Sequence, residues 1–206
     1  MYLVSYILQN PSILEKVSVL IVPVLNPDGY LYTWSADRFF RKNRQPVNGK
    51  DWWGRHCYGI DVSRNFPAFF KQSQRGSSPC NPMYAGDAPL STAESTALAN
   101  LLKSEEEGVI AFLDLHSYGQ MLLYPWLSCA AGAAGEGSIP DEEDMSELTL
   151  GAARAAKSVH NRQYRAGRGC ETMYGQDGNT VDFSYSQAGV KWSLELELRD
   201  EGSYGL

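Results

Sequence analysis

An α/β fold, a sheet with covering helices, is what this 206-residue chain predicts, and three segments carry the prediction. Lys16–Leu25 is a β-branched apolar run closed by the turn signal Asn26-Pro-Asp-Gly29, the pattern of a strand buried on both faces. Val109–Leu115 reads as a second strand that delivers His116 at its C-terminal end, the edge at which open α/β sheets gather ligands. Lys191–Asp200 is a third. Because side chains alternate along a strand, Glu195 and Glu197 share one face and Trp192, Leu194, Leu196 and Leu198 the other. Two glutamates in a row suit either an exposed edge strand or a chemical site.

The remaining elements follow in order. Residues 1 to 9 are apolar at helical spacing. Residues 32 to 90 are rich in Gly, Pro, Asn, Ser and aromatics with little periodicity, too long to be mere connection, and read as functional surface. Ser91-Thr-Ala-Glu94 has the capping-box pattern and opens an amphipathic helix to about Lys103. Asp141 to His160 runs from acidic to basic, as the helix dipole favours. A glycine-rich loop over 166 to 180 leads to Val181-Asp-Phe-Ser-Tyr185 and the closing strand. There is neither an internal repeat nor a linker, so one domain is expected.

Composition narrows the function classes. With 43% hydrophobic and 12% aromatic residues the chain can bury a substantial core. Lys+Arg 18 against Asp+Glu 24 gives a net charge of -6, which offers no broad attraction to nucleic acid or to an anionic bilayer. No apolar run approaches the roughly 20 residues of a membrane span, so neither a nucleic-acid nor a membrane partner is expected. The opening residues lack the basic start and the cleavage site of a signal peptide, which places any secretion signal outside this chain. The four cysteines contain no Cys-x-x-Cys pair, which argues against a structural zinc knot, and their even number leans towards an oxidising compartment.

The groups able to do chemistry are few: His116 at a strand end, Glu197 near the C-terminus, Arg41 and Arg64 in the long loop, and Tyr174 in the glycine-rich loop. Two same-strand glutamates about 7 Å apart project in parallel and cannot flank a bond from opposite sides, which removes a glycoside hydrolase. Six ordered motifs hold these groups, Tyr174 excepted: Asn26-Pro-Asp-Gly-Tyr30, Phe40-Arg-Lys-Asn-Arg44, Gly59-Ile-Asp-Val-Ser-Arg-Asn-Phe66, Ser77-Ser-Pro-Cys80, His116-Ser-Tyr-Gly-Gln120 with Leu123-Tyr-Pro125, and Glu197-Leu-Arg-Asp200 with Tyr204-Gly. Together they closely resemble the zinc metallocarboxypeptidases of the pancreatic carboxypeptidase A/B type, nearly end to end.

The resemblance implies a mixed, mostly parallel sheet with helices on both faces, and an enzyme that removes one residue from peptide or protein C-termini. It makes His116 a zinc ligand and Glu197 the general base. Arg41 would stabilise the oxyanion, and Arg64 would hold the terminal carboxylate with its planar fork. Tyr174 would close over the bound C-terminal residue, and Tyr118 would line the neighbouring subsite. Cys57 with Cys80 and Cys129 with Cys170 would form disulfides, and the protein would be an extracellular or secretory monomer.

Several positions depart from that pattern. The family binds zinc through His-x-x-Glu and a later histidine, yet none of His56, His116 and His160 is followed three residues on by glutamate. Two ligands are therefore expected upstream of Met1. Residues 1–206 then read as one peptidase domain lacking the N-terminal zinc-motif region and the C-terminal helix, aggregation-prone in isolation, and the competing expectation is a chain that binds peptide C-termini without cleaving them. Ser63 replaces an asparagine that assists Arg64 and reaches less far. Val181 stands where members that prefer Lys or Arg carry aspartate, which argues for apolar substrates. Glu195 faces the same pocket and argues for a basic residue, unless Arg168 or a lysine neutralises it.

Overall fold

The structure, a computed structural model, describes residues 2–70, 78–104, 108–133 and 137–202. Its centre is a four-stranded sheet built from the second half of the chain: β3 (Ala111–Ser117), β4 (Met121–Tyr124), β5 (Arg165–Arg168) and β6 (Trp192–Leu198), in the order β3-β6-β4-β5. β6, the last strand in sequence, lies between β3 and β4, parallel to the first and antiparallel to the second, while β4 and β5 run parallel. The sheet is therefore mixed, with two of its three pairings parallel, as expected.

Helices cover both faces. On one side α5 (Glu142–His160) buries Met145 among Tyr124, Trp126 and Ile139, against Trp192 and Leu194 of β6. On the other side α7 (Thr180–Ser186) sets Val181 against Met121 and Leu123, and packs Phe183 on Phe66 with α3 (Ala93–Leu102) behind it. The short helices α4 (Ala130–Ala133) and α6 (Gly169–Thr172) are joined by the Cys129–Cys170 disulfide at their N-terminal ends. The helix over residues 1 to 9 forms as α1 (Tyr2–Gln9), and the 141–160 helix forms with Asp141 as its N-cap.

Three sequence expectations are revised. Lys16–Leu25 is not a strand: no described strand lies beside it, and its side chains up to Val24 face solvent, Leu20 at 64% exposure, while Leu25 packs on the Phe66–Phe183 core. A β-branched run becomes a strand only where a neighbour accepts its ladder hydrogen bonds. The Asn26-Pro-Asp-Gly signal is not a turn but the start of α2 (Pro27–Ser35), where Asn26 accepts from the Gly29 N–H at 2.9 Å and Pro27 takes the first helical position. The cap of α3 is Thr92, one residue later than the capping-box reading, with its hydroxyl accepting from Ser95 N–H at 3.0 Å; Glu94 instead receives a hydrogen bond from Asn43.

The long irregular segment also holds order that its composition hides. β1 (Pro46–Lys50) and β2 (His56–Tyr58) form an antiparallel hairpin, tied at its base by the Cys57–Cys80 disulfide. A single 3-10 turn over Val62–Arg64 follows, and it delivers the arginine of the Gly59–Phe66 motif into the interior.

Candidate active site

The register of β3 on β6 assembles the first half of the site. Asp114 pairs with Glu195 and His116 with Glu197, four groups on the sheet face beneath α7. The glutamate face is the buried one: Glu195 is 3% and Glu197 7% exposed, whereas Leu198 is open to solvent. The exposed-edge reading of this strand is thereby excluded, because β6 has a neighbour on each side.

Four ionisable groups so close in a low dielectric shift one another. Burial pushes the His116 imidazole down, but the hydrogen bond and charge of Asp114, with the charges of Glu195 and Glu197, outweigh it and lift the pKa to about 9. Its Nε2 lies 3.2 Å from Asp114 Oδ1, and Thr180 donates to the other Asp114 oxygen. Burial raises Asp114, yet the His116 bond and charge and the Thr180 bond hold it below the ordinary carboxylate value. Burial lifts Glu195 to about 7 against the pull of His116 and of Gln176, whose amide donates to Oε1 at 2.9 Å. Glu197 is likewise raised by burial, opposed by His116 and Arg41. Its Oε2 is buried with no hydrogen-bond partner among the described residues.

The second half is built on Asp61. Its Oδ2 lies 3.0 Å from Arg41 Nη2 and 3.1 Å from Arg64 Nε, so one carboxylate orients both guanidinium groups. Ser63 Oγ donates to Asp61 Oδ1 at 2.8 Å and accepts from Arg41 Nη2 at 3.2 Å. Its single O–H is thus committed within the protein, and donation to a substrate carboxylate would require that bond to break. The terminal amino groups of the Arg64 fork take no part in its pair with Asp61.

The other expected residues fall as follows. Tyr118 follows β3 and is exposed, close to Gly202. Tyr174 is exposed on the loop between α6 and α7; two residues on, Gln176 anchors that loop to Glu195 and, through its N–H, to the Leu127 carbonyl at 2.9 Å. Val181 is fully buried against Met121, Leu123 and Leu127. Both expected disulfides, Cys57–Cys80 and Cys129–Cys170, are formed. Arg168 does not neutralise Glu195, since it pairs with Glu142 and Glu171. Tyr204 and Ser77 lie outside the described residues.

Three contributors escaped the sequence reading. Asp114 stands two residues before His116 on the same strand, so the period-2 rule already put both on one face. Asp61 sits inside a motif in which the arginine drew the attention. Gln176 carries no local signal, because its contact spans 19 residues and depends on how the loop folds back.

A zinc ion would take about three protein ligands in a catalytic site. Among the described residues no group of three His, Cys, Asp or Glu side chains is arranged to hold a metal. His116 offers a single imidazole whose Nε2 is turned to Asp114, so the described residues do not make up a zinc site.

Among the described residues the site thus holds a buried glutamate with an unpartnered oxygen, an imidazole beside it, and two arginines paired to one carboxylate. The chain belongs to the zinc carboxypeptidase family, Peptidase_M14, which it matches over residues 1–206. It is 36% identical over 195 residues to carboxypeptidase B of Rattus norvegicus, covering 94% of this chain and 44% of that protein. To the inactive metallocarboxypeptidase ECM14 of Blastomyces gilchristii it is 34% identical over 214 residues, covering 94% of this chain and 34% of that one. Its fold resembles bovine thrombin-activatable fibrinolysis inhibitor, solved in complex with tick carboxypeptidase inhibitor, with a TM-score of 0.78 and 34% identity over 89% of this chain and 58% of that one. The chain spans less than half the length of these curated relatives.

Proposed function

We propose that these residues carry the general base and the chain-end clamp of a carboxypeptidase that releases the C-terminal residue of peptides. The observation that carries this reading is Glu197: a buried carboxylate with one oxygen unpartnered, flanked by His116 and within the field of Arg41. In this reading Glu197 takes a proton from the attacking water, and the new C–O bond sends the carbonyl electron pair onto oxygen. Arg41 meets that negative charge. Glu197 then gives the proton to the departing amine as the C–N bond breaks. Arg64 holds the terminal carboxylate, which restricts cleavage to chain ends. Tyr118 and Tyr174 supply aromatic surface around the last residues, and Val181 and Glu195 line the pocket for its side chain. The two disulfides support an extracellular or secretory setting.

Zinc would supply Lewis-acid activation of the water, and it needs donors beyond those described. That observation favours a second reading, in which the chain binds peptide C-termini without cleaving them. Metal analysis of the purified chain, with release of the last residue measured on peptides bearing a free or an amidated C-terminus, separates the two. Bound zinc with chelator-sensitive release from the free-acid peptides alone, lost about 10²- to 10⁴-fold in Glu197→Gln, is the outcome expected of the enzyme. Binding of free-acid peptides with no release would sink that reading and leave the clamp. Failure to bind either peptide removes both.

A further inference from the structure

The most exposed large hydrophobic side chains of the described residues are not at the site but at the tip of the β1–β2 hairpin. Trp52 is 94% and Trp53 77% exposed, side by side in the turn Asp51-Trp-Trp-Gly-Arg55. Exposed indoles are commonly mobile; these are mounted on a stiff turn. Asp51 Oδ1 accepts from the N–H groups of Trp53 and Arg55, both at 2.9 Å, and Asp51 Oδ2 pairs with Arg55 Nε at 2.7 Å. The Asp51 N–H donates to the Arg55 carbonyl at 2.9 Å, and Gly54 closes the loop with φ +79. At the other end the hairpin is fastened by Cys57–Cys80 and by the approach of Gly49 to Pro79.

We propose that this tip is a membrane-surface anchor, seating Trp52 and Trp53 at the headgroup level of a phospholipid bilayer. Three features select that partner. Both rings stand almost wholly in solvent at the hairpin tip, whereas peptide and small-molecule ligands are held in concave sites. Its indoles join an apolar body to an N–H, the combination that settles at a lipid–water boundary. The flanking charges are Lys50 and Arg55 against the single acid Asp51, with which Arg55 pairs, so among the described residues of the tip Lys50 is the uncommitted cation; Arg55 also lies over the Trp53 ring, 5.1 Å from its centroid. Cations at that level reach phosphates while the rings sink. The overall charge of -6 gives no long-range pull to anionic lipid, so the contact rests on burial of the two rings and not on steering. Because the turn is already ordered, little conformational entropy is lost on docking.

The test is co-sedimentation of the intact chain with phosphatidylcholine vesicles, with and without a minor fraction of phosphatidylserine, for wild type, Trp52→Ala/Trp53→Ala and Trp34→Ala. Trp34, exposed on α2, controls for any surface indole. Wild type and Trp34→Ala are expected to bind pure phosphatidylcholine alike, with blue-shifted tryptophan emission, and the double variant to bind at least about tenfold more weakly. Trp52 and Trp53 are 94% and 77% exposed, and the one contact of either ring among the described residues is the exposed Arg55 over Trp53, so the double variant should melt close to the wild type. The proposal is overturned if wild type does not sediment at millimolar lipid, if the double variant binds equally well, or if binding needs phosphatidylserine and ignores the substitutions. It is overturned too if sedimentation velocity without lipid shows an association that the double variant abolishes, which would give the tip to a second copy of the chain.

Discussion

Asp61 shows how much one buried carboxylate can organise. It meets Arg41 and Arg64 on the same oxygen and receives the Ser63 hydroxyl on the other, so its loss releases three side chains at once. Asp61→Ala is expected to weaken binding of a free-acid peptide at least about tenfold while leaving an amidated peptide unchanged, read by calorimetry on the two ligands. Asp182 tells a different story of burial. It accepts the N–H groups of Leu127 and Ser128, both at 2.8 Å, yet burial, opposed by those bonds and the one from Asn179 and aided by Asp177, lifts its pKa from 3.8 to about 6. A carboxyl raised on folding contributes stability below its unfolded pKa, and that contribution is lost as pH rises through the folded value. On the order of 2 to 3 kcal/mol is at stake between pH 4 and pH 7. Thermal melts across that window should show the advantage of wild type over Asp182→Asn shrinking as pH rises; a constant gap would refute the assignment. The motifs singled out His116, Arg41, Arg64 and Glu197, and the structure sets His116 beside Glu197 and both arginines on Asp61. Asp61 and Gln176 were not singled out: Asp61 lies within the motif of Arg64, but its pairing with Arg41 joins separate segments, and Gln176 reaches Glu195 only because its loop folds back.

Elements were legible in proportion to how local their cause is. The acidic-to-basic order of α5 and the alternation of β6 act within one segment, and both segments form as read. The polarity of β6 did not follow from alternation, since that pattern says which residues share a face but not which face is inward. Only its place between β3 and β4 decides that the glutamates are interior. The hairpin went unread because its tip carries tryptophans, where turn chemistry alone would favour Asn or Asp with Gly. Two measurements probe the element scale. Thr92→Ala removes the cap of α3 and should cost about 1 kcal/mol in denaturant unfolding. Cys129→Ser/Cys170→Ser opens a loop of sequence separation 41, worth about 4 kcal/mol in the chain-entropy account, and should lower the melting temperature by about 10 °C.

At the scale of the molecule, the first half of the chain is mostly loop, hairpin and 3-10 turn, and the second half holds the sheet. Among the described residues β3 is an edge strand, with Leu113 and Leu115 exposed, and the apolar stretch Lys16–Val24 lies open without a ladder partner. Unpaired strand edges and contiguous apolar surface favour association. Sedimentation velocity of this chain should therefore show concentration-dependent growth, reduced by Leu20→Lys and Leu113→Lys; a concentration-independent monomer would contradict it. The family was readable from six motifs, whereas the failure of Lys16–Leu25 to become a strand was not, because a strand is a property of a pair. The inward-facing glutamates of β6 carry one more implication. They occupy positions that hydrocarbon would fill with less desolvation, so a mutant library selected for heat resistance alone would collect substitutions at Glu195 and Glu197, and on the proposed reading its survivors would be sturdier and without their base.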